Sequence, residues 1–297
     1  MITLVRRATA LCALGAALTA CGTTAAEVAP RPAPSAPSSP SPSRTLAPTL
    51  APGPAGLTPV FEHGPRTDGK DRGNGGKGGD SGGKTVALTF DADMTADQGP
   101  RAASGERFDN PQLIATLRKL KVPATVFMTG RWAEEYPDEA RSIGRDPRFE
   151  VANHSYSHYA YTDDCYGLPT VPEDRMRSDL ERAYTAFEKA GVPNPMPYFR
   201  FPGGCYDEAA LRELSATGVT AVQWDVVSGD AFATDADAVT RQVLDGVRPG
   251  SVVVMHCTRS AAPVTEEVVR SVVPELRRRG YRFVKVSDLV DASNGRG

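Results

Sequence analysis

From Lys84 to about Val290 the chain alternates short apolar runs with stretches of helical spacing. Seven runs carry the β-branched and aromatic enrichment of strands: Thr85–Asp91, Ala124–Thr129, Phe149–Asn153, Tyr198–Phe201, Thr220–Asp225, Ser251–His256 and Arg282–Val286. Between them, Leu113, Ile114, Leu117 and Leu120 share one helical face, as do Leu180, Ala183, Tyr184 and Phe187. Val268, Val269, Val272, Val273 and Leu276 form a last apolar stripe, and Gly191, Gly218 and Gly280 stand where helices should stop. Regular strand–helix alternation predicts a parallel sheet. Polar residues gather at the C-terminal ends of the runs. A barrel places its catalytic groups there, and an open doubly wound sheet places its ligand there, so periodicity admits both.

The chain before Lys84 reads differently. Arg6 and Arg7 precede an apolar run from Ala8 to Ala20, too short to span a bilayer and suited to a signal peptide over residues 1–20. The run ends Leu18-Thr19-Ala20-Cys21, which resembles the lipobox of bacterial lipoproteins. That resemblance implies lipidation of Cys21 and anchoring to the outer side of the cell membrane, where two acyl chains hold far better than one. The alternative is an ordinary secretory signal in which the cysteine is incidental. From Gly22 to Val60 the residues are mostly Pro, Ala, Ser and Thr, and Gly64 to Gly83 is glycine-rich. Neither stretch offers apolar surface to bury, so residues 21–83 are expected to form a disordered stalk, with His63 solvated and inert. The folded domain is expected over 84–292.

A hydrophobic share of 40% supplies a core, and a net charge of −2 argues against a polyanion-binding surface, so no nucleic-acid partner is expected. A monomer is expected, touching the membrane through its lipid alone.

Ionisable residues mark the strand ends. The first run ends Thr89-Phe90-Asp91-Ala92-Asp93, and the third leads into Asn153-His154-Ser155-Tyr156-Ser157-His158. The fourth leads into Arg200-Phe201-Pro202-Gly203-Gly204, the fifth ends Trp224-Asp225 with Asp230 beyond, and the sixth ends Met255-His256. Two histidines four apart can face one way on a helical turn and bind one metal; a nearby aspartate completes a three-ligand site with a position open for water.

In that order the five segments resemble the polysaccharide deacetylase (NodB-homology) domain of carbohydrate esterase family four: Thr89–Asp93, His154–His158, Arg200–Gly204, Trp224–Asp230 and Val254–His256. The resemblance covers residues 84–290. It implies a distorted, incomplete (β/α)7 barrel and hydrolysis of N-acetyl groups on an extracellular polysaccharide, peptidoglycan or another N-acetylglucosamine polymer, by water activated on a divalent metal. Zinc is the expected ion, with cobalt or nickel as substitutes. Asp91 would be the general base, His154 and His158 metal ligands, Arg200 the partner of Asp91, and His256 the general acid, held by Asp230. The backbone near Gly203 would complete an oxyanion hole.

Three positions depart from the family pattern. The usual first motif has adjacent aspartates, base then ligand; here Ala92 takes the second place and Asp93 follows. Strand alternation aims Asp91 and Asp93 to one side, which favours Asp93 as the ligand, over water in its place or a metal-free degenerate domain. Ala231 replaces a frequent tryptophan, for which Trp224 is a candidate substitute, and Val254 replaces a leucine. Asp225 reads as a wall residue or a helix cap. Two other functions stay open: an O-acetyl esterase on a xylan-like glycan, and a non-catalytic glycan-binding lipoprotein.

Among the remaining cysteines, Cys165 follows the histidine pair and Cys205 the glycine turn. Both should lie on loops of the catalytic face, so a Cys165–Cys205 disulfide is expected in an oxidising compartment. Cys205–Cys257 is the rival pairing.

Overall fold

The structure, a computed structural model, describes residues 47–66 and 83–295. The signal segment 1–20, Cys21 and the glycine-rich run 67–82 lie outside the described residues. No helix among the described residues is long and apolar enough to cross a membrane.

In chain order the elements are β1 (Val60–Phe61), β2 (Lys84–Ala92), α1 (Gln98–Ala103), α2 (Pro111–Leu120), β3 (Ala124–Met128), α3 (Gly130–Glu135), α4 (Pro137–Arg145) and β4 (Phe149–Asn153). There follow α5 (Met176–Ala190), β5 (Tyr198–Phe199), α6 (Glu208–Leu214), β6 (Thr220–Val222), β7 (Val226–Val227) and α7 (Ala236–Gly246). The C-terminal part contains β8 (Ser251–His256), α8 (Thr265–Arg278), β9 (Tyr281–Phe283) and α9 (Val286–Asn294). The helix predicted around Leu113 starts at a Pro after Asn110, whose side chain accepts from the Leu113 amide, the usual N-cap device. Gly191 ends α5 in the left-handed conformation that stops a helix.

The strands form one sheet in the order β1-β6-β5-β4-β3-β2-β8-β7, with β9 pairing the first residues of β2 below the start of β3. The strand pairings are parallel throughout. The sheet curls into an incomplete barrel. Val222 of β6 and Val252 of β8, far apart in sheet order, pack into one interior cluster with Phe61, Ala87, Phe127 and Tyr198. Val286, Leu289 and Val290 of α9 join that cluster from the last helix.

β2 shows how the pattern makes two cores. Val86, Leu88, Phe90 and Ala92 face the outer core beneath the helices. Ala87 faces the interior, and Thr89 and Asp91 alternate onto the same side. Central strands buried on both faces read as unbroken apolar runs, as Val252–Met255 of β8 does.

The N-terminal boundary corrects the sequence expectation. Residues 47–66, assigned to the stalk, pack on the barrel. Tyr198 donates its hydroxyl to Pro48 O (2.6 Å), the Leu50 amide donates to Thr220 Oγ1 (3.0 Å), and Thr58 binds Leu211 O through both its amide and its hydroxyl. β1 then pairs with β6, and His63 forms an antiparallel bridge to Ser251 at the foot of β8. The segment thus spans the gap the incomplete barrel leaves, so His63 is exposed but tied to the sheet. Two short strands, β1 and β7, add to the seven expected, and the last expected strand is cut short because Val286 begins α9.

Phe61, 4% exposed, anchors this closing segment. Phe61→Ala should cost about 3 kcal/mol in urea unfolding; a stalk residue would cost less than about 0.5 kcal/mol.

Candidate metal centre and active site

The interior residues of β2 lead straight into the site. Asp91 is its last inward position, and Ala92 turns outward into the helix-side core. Asp93, one step later, returns to the inner side. Its carboxylate accepts a hydrogen bond from Thr258 Oγ1, and its amide donates to the same hydroxyl (3.3 Å). A regular strand through position 92 therefore puts the second inward carboxylate at 93.

The histidine pair follows β4, but not on a helical turn. Residues 154–158 form a loop in which Ser155 (φ 70°) and His158 (φ 57°) adopt the left-handed conformation. Asp179 of α5 holds the loop: its Oδ2 accepts from the Tyr156 amide (3.2 Å), the Ser157 hydroxyl (3.1 Å) and the Tyr161 hydroxyl (3.2 Å). Asn153 adds an Oδ1 acceptor for the Ser155 amide (2.8 Å) while donating to Leu180 O (2.9 Å). The two imidazoles end with ring centres 5.0 Å apart. Ligand atoms of Asp93, His154 and His158 all lie within 4.8 Å of one another, with His158 Nε2 3.4 Å from Asp93 Oδ2.

The donor chemistry fits a divalent cation. His154 Nδ1 lies 2.9 Å from the Arg200 carbonyl, which can only accept, so that nitrogen carries the proton and Nε2 is left as a lone-pair donor. Burial lowers the His154 pKa to about 4 against the pull of Asp91, which keeps the ring neutral as a ligand must be. For Asp93, burial favours the protonated acid, but the charges of His158 and His256 and the Thr258 hydrogen bond outweigh it and lower the pKa. Two imidazoles and one carboxylate are a donor set that could hold a metal ion, of the kind a three-ligand catalytic site uses.

On one side of this triad lies the Asp91–Arg200 pair. Arg200 Nη1 donates to Asp91 Oδ1 (2.7 Å) and to Thr89 Oγ1 (2.8 Å), and Nε donates to Val222 O (3.2 Å). The guanidinium stacks 3.9 Å above the Phe127 ring. Asp91 Oδ2 stays on the triad side, 3.7 Å from His154 Nε2.

On the other side lies His256. Asp230 Oδ1 accepts from its Nδ1 (2.8 Å), and Oδ2 accepts from its backbone amide (2.8 Å). Ser228 and Thr265 hydroxyls donate to the same carboxylate (2.8 and 2.7 Å). Burial opposes charge on the His256 ring, yet the Asp230 hydrogen bond and charge, with Asp93 and Asp91 behind them, raise its pKa to about 9.

The structure places the other predicted residues as follows. Gly203 (φ 67°) lies in the turn after β5, where a Cβ would meet Cys165 Sγ at 2.5 Å. Cys165 and Cys205 are joined by a disulfide with Cα atoms 5.9 Å apart, and Cys257 is a buried free thiol in the outer core, turned away from the triad. Trp224 packs beside the Arg200 guanidinium (5.4 Å) and against Gly204, where a Cβ would meet its ring at 2.4 Å. Asp225 is neither wall nor cap: it binds the Ser251 hydroxyl, the Val252 amide and Arg66 at the foot of β8. Sequence reasoning missed Asp179, Thr258, Ser228 and Thr265. Each acts through a hydrogen bond to a site residue or its loop, a role that leaves no spacing signature.

The sequence model of the family described as Polysaccharide deacetylase matches residues 78–222. The chain is 28% identical over 212 residues to a peptidoglycan-N-acetylglucosamine deacetylase of Bacillus cereus, covering 71% of this chain and 70% of that protein. It is 28% identical over 221 residues to a chitooligosaccharide deacetylase of Bradyrhizobium, covering 70% and 92%. Among solved structures, a CE4-family pseudoenzyme from Bacillus anthracis is similar in fold with a TM-score of 0.60 at 23% identity, covering 82% of this chain and 70% of that one. A peptidoglycan N-acetylglucosamine deacetylase bound to an N-oxidanyl-benzamide has the same TM-score, 0.60, at 24% identity, covering 78% and 92%. Enzyme and pseudoenzyme thus share this fold, so the fold by itself does not decide activity. Asp93→Ala should weaken zinc binding, measured by competition with a chromogenic chelator, by about a hundredfold or more, and Thr258→Val by about tenfold; unchanged affinity in Asp93→Ala would remove this residue from the ligand set. The matched family model and the named relatives support a polysaccharide deacetylase domain in this chain, with the model match over residues 78–222.

Proposed function

We propose that this chain hydrolyses N-acetyl groups of an acetylated polysaccharide in a metal-dependent reaction, with N-acetylglucosamine units of peptidoglycan or a related polymer as substrate. The observation that carries this reading is the convergence of three ligand atoms within 4.8 Å, flanked by one carboxylate and one imidazole, each with its own buried partner. Relatives named for peptidoglycan N-acetylglucosamine and for chitooligosaccharides support the substrate class.

Amide hydrolysis is slow because the carbonyl is weakly electrophilic and the amine leaves badly. Asp93, His154 and His158 would hold a divalent ion, which would supply Lewis acidity to the acetyl carbonyl and lower the pKa of water. Arg200 occupies Asp91 Oδ1 and leaves Oδ2 facing the triad, positioned to take a proton from the attacking water. His256 donates Nδ1–H to Asp230, so Nε2 carries the proton delivered to the departing amine nitrogen. Acetate and a free amine result, with one proton removed from water and one given to nitrogen. The backbone near Gly203, in the turn after β5, would complete an oxyanion hole with the ion.

The readings made from the N-terminal segment remain part of the proposal: lipidation at Cys21 and tethering outside the cell membrane, which would hold the domain near cell-wall glycan. The Cys165–Cys205 disulfide supports an oxidising compartment.

Acetate release from N-acetylglucosamine oligomers tests the reading. Chelation should abolish turnover and zinc restore it. Asp91→Asn should lose about a thousandfold in kcat while keeping its metal; a metal-replete wild-type protein that releases no acetate would overturn the proposal. His256→Ala should cost an amide substrate far more than an acetyl ester, because an alkoxide leaves with less help from an acid.

The acid's pH dependence has a definite sign. The imidazolium is retained below a pKa of about 9, so activity should fall as pH rises through the folded value. A cation at the triad lowers that value, making about 9 the upper limit. Asp230→Asn removes the leading upward influence and should move the alkaline limb to lower pH, read from kcat/KM profiles.

A further inference from the structure

Among the described residues, the exposed large hydrophobic side chains are Tyr166 (87% exposed), Val227 (53%) and Phe232 (84%). All three lie a few residues along the chain from groups already described at the site or on its loops. Tyr166 follows Cys165, and its ring edge sits beside Gly203: a Cβ placed on that glycine would lie 3.4 Å from Tyr166 Cδ2. Val227 precedes Asp230 by three residues, and Phe232 follows it by two. In sheet order Tyr166 is fixed on the β5 flank and Phe232 on the β7–β8 flank, with the ligand-bearing ends of β4 and β2 between them.

Both aromatic residues also hold a backbone conformation that suits neither. Tyr166 (φ 51°) and Gly167 (φ 73°) form the centre of a tight turn closed by the Leu168 amide on Cys165 O (3.0 Å). Two successive positive φ angles call for Asn or Gly at the first place. Phe232 (φ 59°) takes the third place of a turn closed by the Ala233 amide on Asp230 O (3.1 Å), where glycine is the unstrained choice. Its own amide is pinned to Ala261 O (2.6 Å). The disulfide pins the other turn. Each position thus combines left-handed backbone with a large ring left mostly in water. Strained backbone held by surrounding structure clusters at active sites and ligand clamps.

We infer that Tyr166 and Phe232 are stacking platforms for two sugar rings of one glycan chain, one on each flank of the catalytic centre. A β-linked pyranose presents an apolar C–H face that a flat, rigidly mounted ring covers at little cost in side-chain freedom. Placement on opposite flanks means a chain must extend past the reacting sugar on both sides to use both rings. Oligomers are therefore preferred to a single N-acetylglucosamine. This inference rests on the glycan deacetylase reading and deepens it.

Tyr166→Gly and Phe232→Gly test it, because glycine relieves the backbone strain while removing the ring; both variants should unfold at an equal or higher urea concentration. Each should raise KM for the N-acetylglucosamine pentamer about tenfold, the factor expected for one aromatic stacking contact, with a smaller change in kcat. The pentamer's advantage over N-acetylglucosamine itself should shrink by the same factor, and Tyr166→Phe and Phe232→Tyr should restore it. Affinity electrophoresis in glycol chitin gives the same comparison without turnover, so a protein that binds but releases no acetate would sink the activity and not the platforms. Unchanged KM and unchanged retardation in both glycine variants would overturn the inference, as would a change in oligomeric state by sedimentation in place of a change in glycan affinity.

Discussion

Arg200 has no solvent exposure, and a guanidinium so placed must find partners for its charge and its donors inside the barrel. It finds them on three strands. Asp91 and Thr89 belong to β2, the Val222 carbonyl to β6, and Phe127 of β3 supplies a ring face. Its backbone carbonyl, in turn, fixes the tautomer of His154. One residue thus couples closure of the curled sheet to the orientation of Asp91 and of His154. Burial lowers the Arg200 pKa while Asp91 opposes the shift. Taking away one partner of such a pair leaves a buried charge uncompensated, which is far more damaging than the pair's own net contribution.

A second buried hub balances the first. The two oxygens of Asp230 take bonds from the His256 ring, the His256 amide, and the hydroxyls of Ser228 and Thr265. The His256 side is consequently as densely hydrogen-bonded as the Asp91 side. Between the hubs, Thr258 plays a smaller version of the same role for Asp93. Positioning of this sort is what general acid–base chemistry needs, since proton transfer depends on reach before it depends on pKa.

Alternation made the inward positions of the strands readable, and with them Asp91 at the end of β2, because a strand's inward positions are set by counting in twos. Arg200 and Asp230 lie past the ends of β5 and β7 and were legible through the motif resemblance, as was the role of His256. The same counting located Asp93 and explains Ala92, whose methyl belongs to the outer core. The histidine loop resisted this reading. Its shape comes from two left-handed residues and from Asp179, more than twenty positions away, so no local spacing describes it. The N-terminal boundary resisted for a related reason: Pro48, Leu50, Thr58 and Phe61 look like spacer composition, and their partners lie about 150 residues later. Composition measures what a segment can bury by itself and is blind to what it is laid against.

Because a pseudoenzyme shares this fold, everything chemical rests on whether an aspartate displaced by one position still joins two imidazoles around one ion. Anomalous diffraction at the zinc absorption edge from crystals grown with zinc measures this directly. The account predicts one strong peak in direct contact with a carboxylate oxygen of Asp93 and Nε2 of both His154 and His158. A peak bonded to the histidines but not to Asp93, or no peak between these three residues, would contradict it.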